Sequence, residues 1–189
     1  MSARTARVRL SALPHTQSSV TPEAYRSTFR RHPAGVAVVT LDDGGTPRGL
    51  TVSSFHSVSL HPPLVAFSVA ATSSVWPSLE RVDRHVVNLL GLDHLADARR
   101  FATSGIDRFA APTAWTRLPD GQPVLEHAST WLHCIVERRI AAGDHWLLLS
   151  RVEAIHAGTD SEPLVFHDGD FHTTARLLAA VDPTSGALT

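Results

Sequence analysis

The sequence has very little cysteine: Cys134 is the single thiol in 189 residues. One thiol cannot form an intramolecular disulfide, so a disulfide-stapled secreted fold is excluded, and this usage is typical of a reducing cytosol. No apolar run approaches the roughly 18 residues that a membrane-spanning helix needs. We therefore expect a cytoplasmic protein that does not cross a membrane.

The chain also lacks an excess of charge of either sign. Its 17 Lys and Arg against 18 Asp and Glu give a formal net charge of −1, which argues against nucleic acid as the main partner. The length fits one domain, predicted to span 21–177. Residues 1–20 lack the apolar core of a secretory signal and are expected to form a disordered leader, and residues 178–189 a flexible tail.

Several catalytic signatures are missing as well. The sequence contains no Gly-rich dinucleotide-binding loop and no Ser-centred nucleophile elbow. Its 12 histidines are scattered, without the spacing of a helical His pair or a Cys-x-x-Cys ligand set. We therefore expect no metal site.

What the chain does have is a stretch, Gly49–Val69, that is rich in small hydroxyl side chains. It carries a double proline before the apolar strand Leu64–Val69, and its hydroxyl residues are Thr51, Ser53, Ser54, Ser57 and Ser59. Small hydroxyl residues let backbone N–H groups approach a ligand closely and add short-range donors and acceptors. The same pattern fits a solvent-facing edge of an antiparallel sheet. Composition and periodicity leave both interpretations open.

Two helices have recognisable starts. Thr21-Pro22-Glu23 combines a hydroxyl N-cap, a proline at the first helical position and an acid in the first turn. Tyr25 and Phe29 lie one turn apart and are predicted to form the buried stripe of this helix. Asp93 is predicted to cap a second helix that runs to about Thr103.

A third short helix follows the hydroxyl run that ends at Ser74. Val75, Leu79 and Val82 recur at helical spacing, and Ser74 is predicted to cap this helix. Hydroxyls at a helix N-terminus also form a site for an anion such as phosphate. The two interpretations are compatible, because a capped helix can still present N–H groups to a ligand.

The remaining segments are predicted to be strands joined mostly by hairpins. Val36–Phe55 is predicted to form one hairpin, Arg84–Leu92 a strand, and 129–155 a long hairpin with a turn at 141–144. Cys134 lies in this last hairpin as a small core residue. Six or seven strands without regular strand–helix alternation exclude a doubly wound parallel sheet and favour an antiparallel barrel over a sandwich.

Seven short motifs, in this order and spacing, resemble the flavin reductase family over residues 22–172. They read HPAGVAVVT, GLTVSSFHSVSLHPPLVAFSV, SSVW, FATSGIDRF, GQP, AAGDHW and PLVFHDGDFH. The resemblance implies a mainly β protein, a six-stranded antiparallel split β-barrel of Greek-key type with a few short peripheral α-helices. It also implies a homodimer with flavin near the subunit interface.

The resemblance further implies roles for individual residues. His145 would face the nicotinamide side of the site as its catalytic residue, and Ser53 stands where the family commonly has asparagine. The residues implied in flavin binding are Thr51, Val52, Ser53, Ser54 and Phe55 along the isoalloxazine and ribityl chain, Ser73, Ser74 and Trp76 near the phosphate, Phe101 beside the flavin, and the basic Arg108.

The function implied is an NAD(P)H-dependent flavin reductase that transfers hydride from NADH or NADPH to FMN, or to FAD. It would supply reduced flavin to a partner monooxygenase. The missing dinucleotide loop fits this, because the family binds the nicotinamide as a transient substrate. The alternative is a non-catalytic flavin- or haem-binding split-barrel carrier or sensor. An oxidase of the related pyridoxamine-phosphate type fits the GDH and SSF segments less well.

Overall fold

The computed structural model describes residues 20–128, 130–158 and 161–174. The predicted tail 178–189, and all of the predicted leader except Val20, lie outside the described residues. The helices and strands, in chain order, are α1 (Pro22–Arg30), β1 (Ala34–Gly35), β2 (Ala37–Asp43), β3 (Thr46–Val52), β4 (His56–Ser59), β5 (Leu64–Ala70), α2 (Trp76–Arg81), β6 (Arg84–Leu89), a 3-10 turn (Leu92–His94), α3 (Leu95–Ala102), β7 (Trp115–Arg117), β8 (Pro123–Leu125), β9 (Thr130–Ala142), β10 (His145–Ala157), β11 (Leu164–His167) and β12 (Asp170–Thr173).

The main sheet is antiparallel and curls into a barrel. Its strand order is β3-β2-β6-β9-β10-β5-β4, and one hydrophobic cluster contains Val52 of β3 together with Val65 and Phe67 of β5. Strands near opposite ends of the sheet thus share a core, while no ladder joins β3 to β5 among the described strands. The predicted mainly β, antiparallel split barrel is confirmed. The described main sheet has seven strands rather than six, because the short β4 pairs with β5.

A second cluster of buried side chains lies outside the barrel, under α3. It joins Val38 of β2, Phe101 of α3 and Leu164 of β11, next to the small sheet β1-β11-β12. Helix α3 is therefore held from two sides. One side is the edge of the barrel and the other is the β11–β12 hairpin.

The long hairpin β9–β10 was predicted from its alternating pattern and is present. Its strands pair from Ala142 and His145 at the turn to Thr130 and Ala157 at the far end. Cys134 is fully buried in β9, and burial raises the pKa of its thiol to about 12. It is a core residue, as predicted.

One predicted helix start is confirmed and two are wrong. The Thr21 hydroxyl accepts a hydrogen bond from the Ala24 N–H at 3.2 Å. Ser74 does not cap α2, because the chain turns one residue later and Val75 takes the N-cap position without a side-chain bond. Asp93 lies inside the 3-10 turn, so α3 begins only at Leu95. The strand predicted for 84–92 ends at Leu89, because the chain leaves the sheet before the 3-10 turn that starts at Leu92.

The predicted burial of Tyr25 and Phe29 is also wrong. Their side chains are 57% and 55% exposed, although their rings contact each other with centroids 4.6 Å apart. The helical spacing was read correctly, but α1 has no buried residue. Its apolar stripe faces an open cavity instead of the core.

Candidate functional site

A groove of about 600 Å³ runs along the split between β3 and β5 and reaches α3 and the loop after it. Nine of the eleven residues predicted for the site line it. These are Thr51, Val52, Ser53, Ser54, Ser73, Ser74, Phe101, Arg108 and His145. The fold therefore brings together residues that lie up to 94 positions apart in the chain, on three elements (β3, α3 and β10) and three loops.

Two predicted residues do not line this groove. Trp76 is 7% exposed and stacks on Trp146 with ring centroids 4.6 Å apart, so it belongs to the barrel core. Its predicted position near a ligand phosphate stays a prediction. Phe55 lines a neighbouring cavity instead.

The wall of the groove depends on a close contact between β3 and α3. At Gly49 an added Cβ would lie 2.7 Å from the Phe101 ring and 2.9 Å from the Val39 carbonyl oxygen. Two residues along, the Thr51 hydroxyl donates to the carbonyl of Ala98 at 2.7 Å. A residue without a side chain and a short hydroxyl are what this approach requires. The glycine and the threonine thus set the position of Phe101.

The serines along the groove differ in whether their hydroxyls already have hydrogen-bond partners. Ser54 donates to the Ser68 carbonyl at 3.2 Å and accepts from the Ser68 N–H at 3.0 Å, so it joins the end of β3 to β5 across the split. Ser73 accepts from the Val75 N–H at 3.3 Å. Ser53 and Ser74 make no side-chain hydrogen bond to any described residue. Their hydroxyls are free for a ligand.

Arg108, in the loop after α3, lines the groove. Its Nε donates to the Thr103 carbonyl and its Nη1 to the Gly49 carbonyl, both at 3.0 Å. Burial, with Arg48 nearby, lowers the pKa of this guanidinium below its usual value. No carboxylate pairs with it within the described ranges, and Nη2 has no acceptor there. A fixed, partly buried cation without a counter-ion favours an anionic ligand.

His145 is the first residue of β10 and also lines the groove. Its Nδ1 is 2.7 Å from Oδ1 of Asp144, and this hydrogen bond lowers the pKa of the Asp144 carboxyl. The carboxylate fixes the orientation of the imidazole. Sequence reasoning did not single out Asp144, although an acid directly before a histidine in a tight turn is a usable signal.

A larger cavity of about 930 Å³ adjoins the groove at Ser53, Ser54 and His145. Its other walls come from α1 and β11, and they include Tyr25, Phe29 and Phe166. The histidine lines both spaces. A ligand in the groove and a second ligand in the cavity would therefore meet beside His145, which is the arrangement a two-substrate reaction needs.

The donor set of the groove suits a flavin phosphate. Free serine hydroxyls and a fixed guanidinium match a polar chain that ends in an anion, so the residues present fit this cofactor. No group of three or more His, Cys, Asp or Glu within the described parts of the chain is arranged to hold a metal ion.

Comparison with known proteins shows the family that this chain resembles. Residues 29–175 match the model of the flavin reductase like domain. The chain is 42% identical over 167 residues to an NADH:FMN oxidoreductase of Rhodococcus qingshengii, covering 86% of this chain and 87% of that protein. It is 32% identical to the reductase subunit of a flavin-dependent monooxygenase of Rhodococcus jostii, covering 81% and 78%.

Solved structures show the same fold. A flavin reductase domain protein from Arthrobacter sp. FB24 superposes with a TM-score of 0.77 at 33% identity, covering 81% of this chain and 95% of that one. An NADH:FAD oxidoreductase from Streptomyces globisporus, solved with NAD and FAD fragments, gives a TM-score of 0.75 at 30% identity, covering 87% and 94%.

Proposed function

This chain belongs to the flavin reductase like family, and we propose that the groove between β3, β5 and α3 is the site at which it binds FMN. It is an NAD(P)H-dependent oxidoreductase that reduces flavin, as its NADH:FMN oxidoreductase relatives are named to be. The observation that carries the proposed location is Arg108, a fixed and partly buried guanidinium without a carboxylate partner among the described residues, in the wall of a hydroxyl-lined groove.

FMN, when bound, supplies the ring atom that accepts a hydride from the nicotinamide, so the redox chemistry belongs to the two cofactors. The protein has to bind, orient and partly enclose them. This is consistent with a sequence that lacks a nucleophile motif, and with the open cavity beside the groove. The nicotinamide substrate has space to enter and leave without a dedicated Gly-rich loop.

Each wall of the groove has a distinct task in this proposal. Ser53 and Ser74 offer free hydroxyls to the polar chain of the flavin, and Arg108 neutralises its phosphate. Phe101 is buried in the cluster under α3, so it supports the wall of the groove from within, in a position that Gly49 and Thr51 set. Ser54 holds the two strands at a fixed separation.

His145 is the proposed catalytic residue. It stands where the groove meets the larger cavity, with its imidazole oriented by Asp144. From this place the ring can contact the nicotinamide and exclude water from the space between the two cofactors. Its contact would be with the hydride-donating nicotinamide, so its removal should lower turnover and leave the affinity for flavin unchanged.

The relatives include reductase subunits of flavin-dependent monooxygenases, so delivery of reduced flavin to an oxygenase is the role in which this family acts. A non-catalytic flavin- or haem-binding carrier gains no support from them. We further propose that the domain spans 21–177, that the chain is cytoplasmic and that it forms a homodimer. None of the described helices is long and apolar enough to cross a membrane. The exposed Tyr25 and Phe29 give the dimer an apolar contact at the cavity.

Titration with FMN and steady-state oxidation of NADH and NADPH test the proposal. We expect FMN-dependent loss of the nicotinamide absorbance band with at least one of the two donors. Absence of that oxidation with both donors, in protein that is folded, would exclude the reductase function.

The Arg108→Gln variant tests the location of the site. Removal of one charge-assisted contact should weaken FMN binding by about tenfold or more. Riboflavin, which has the same ring and no phosphate, should lose much less affinity and serves as the matched ligand control. An equal loss for both flavins would place the phosphate elsewhere.

A further inference from the structure

A second cleft opens on the other side of Arg108. Its volume is about 480 Å³, and its walls are the end of the β2–β3 hairpin and the loop before β7. We call it the Arg48–Arg108 cleft and define it by Pro47, Arg48, Ile106, Asp107, Arg108 and Trp115. Arg108 lines both this cleft and the flavin groove. The two spaces are therefore neighbours that share one guanidinium.

The cleft is lined by two arginines and one carboxylate, so its charge is net positive. Arg48 makes no hydrogen bond or ion pair within the described parts of the chain. It helps to lower the pKa of the Asp43 carboxyl, but that carboxylate is already bonded to Arg81 and Ser78, each at 2.6 Å. The carboxylate in the wall, Asp107, already accepts the Phe109 N–H at 3.0 Å through Oδ1. Two arginines that face one space repel each other, as the effect of Arg48 on the pKa of Arg108 indicates. An anion between them would remove that repulsion.

The cleft also has an apolar part. The Ile106 side chain is 45% exposed, next to Pro47 and Trp115 in the same wall. The indole is held in place because its Nε1 donates to the Phe109 carbonyl at 3.0 Å. Fixed apolar surface beside unpaired arginines is the chemistry that a nucleotide requires, since a nucleotide joins a phosphate to a flat, largely apolar base.

FMN ends at one phosphate, whereas FAD continues from that phosphate into a second phosphate and an adenosine. Arg108 lines both the groove and the cleft, so an FAD whose first phosphate contacts Arg108 can place its second phosphate and adenosine in the cleft. A space of about 480 Å³ also lies within the roughly 300–1,000 Å³ typical of small-molecule sites.

We propose that the Arg48–Arg108 cleft holds the adenylate half of FAD, with Arg48 as the partner of the second phosphate. Arg48 is then a specificity-determining residue that distinguishes FAD from FMN. This assignment rests on the proposed function, because it places the FMN portion of FAD in the groove.

Isothermal titration of FMN and of FAD into the wild type and Arg48→Ala tests the assignment. The ratio of the FAD to the FMN dissociation constant should rise about tenfold in the variant, because FAD loses a charge-assisted contact that FMN does not make. Arg48→Lys should restore part of the selectivity, and Arg48→Glu should raise the ratio further. The matched control is Arg138→Ala, an exposed strand arginine outside both spaces, which should leave the ratio unchanged.

Three results would overturn the assignment. One is an equal weakening of both flavins by Arg48→Ala, which would place Arg48 at the FMN phosphate. The second is an unchanged ratio in Arg48→Ala and Arg48→Glu, and the third is a wild type that binds FMN but not FAD. A wild type that binds neither flavin contradicts the proposed function itself, so the two failures are distinguishable.

Discussion

At the scale of single residues, His145 and Asp144 form a carboxylate–imidazole pair at the groove. The two side chains are neighbours in sequence, and the turn before β10 brings Nδ1 and Oδ1 to 2.7 Å. The imidazole is 45% exposed, so it stands at the rim of the groove rather than beneath a ligand. A residue at the rim can affect the incoming substrate more than the cofactor below it.

His145→Ala should therefore lower turnover while leaving flavin affinity nearly unchanged. We expect kcat/KM for the nicotinamide to fall by about tenfold to a hundredfold, because a positioning contact at the reacting rings is lost. FMN affinity, measured by titration, should change by less than about twofold. The role assigned to the imidazole includes no full hydrogen bond to the flavin.

Asp144→Asn is the matched control for that variant. It keeps the imidazole and weakens the group that orients it, so turnover should fall less than in His145→Ala. Equal losses of flavin binding and of turnover in His145→Ala would contradict the role assigned to the histidine.

At the scale of elements, the contact of α3 with β3 decides the shape of the groove. Gly49 lies on the outer strand of the main sheet, and the Phe101 ring occupies the place where its side chain would be. The Arg108 guanidinium is bonded to the carbonyl of the same glycine. One backbone position thus supports both the apolar ring and the cation of the site.

Gly49→Ala should destabilise the fold and weaken flavin binding together. A Cβ at 2.7 Å from the Phe101 ring and 2.9 Å from a backbone oxygen forces α3 outward, which costs about 1–3 kcal/mol of the free energy of unfolding. Urea denaturation and FMN titration measure the two effects.

Gly35→Ala provides the control for Gly49→Ala, because no atom lies within 4 Å of its added Cβ. It should leave the free energy of unfolding within about 0.5 kcal/mol of the wild type. A free energy of unfolding of Gly49→Ala equal to that of the wild type would contradict this prediction, because it would mean that α3 shifts without loss of stability.

The helices also show how far local sequence patterns can be trusted in this protein. The Thr21 cap depends on four neighbouring residues, and the sequence was sufficient to predict it. The burial of Tyr25 and Phe29 depends on what packs against α1, and periodicity carries no information about that. Trp76 lies in a matching motif, yet its ring stacks on Trp146 from the distant β10. Motif order found most of the groove, whereas side-chain direction at each position needed the tertiary contacts.

At the scale of the whole molecule, the antiparallel class could be predicted because hairpin turns and alternating strands are local signals. The strand order β3-β2-β6-β9-β10-β5-β4 was not readable from composition, since it depends on long-range pairings such as β6 with β9. The core that these pairings enclose contains an unexpected polar member. His85 of β6 is fully buried against Phe67, with ring centroids 5.5 Å apart.

His85 should make the stability of the barrel depend on pH. Neither of its ring nitrogens has a hydrogen-bond partner among the described residues, and burial lowers its pKa to about 3 from an ordinary 6.5. Between these two values the unfolded chain binds a proton at this residue that the folded chain does not. Stability is therefore present in full above pH 6.5 and declines as the pH falls toward 3, by up to about 1.4 kcal/mol per pH unit from this group.

His85→Leu isolates this contribution, because the acidic residues that also titrate in this range are the same in both proteins. Its free energy of unfolding, measured by urea denaturation at pH 7.5 and pH 5, should fall less than that of the wild type. The difference between the two proteins should be about 2 kcal/mol between pH 7.5 and pH 5. The exposed His61→Leu is the control and should follow the wild-type curve. Parallel curves for His85→Leu and the wild type would mean that the barrel opens to solvate the imidazole at low pH, and that the core around Phe67 is less tightly closed than its burial indicates.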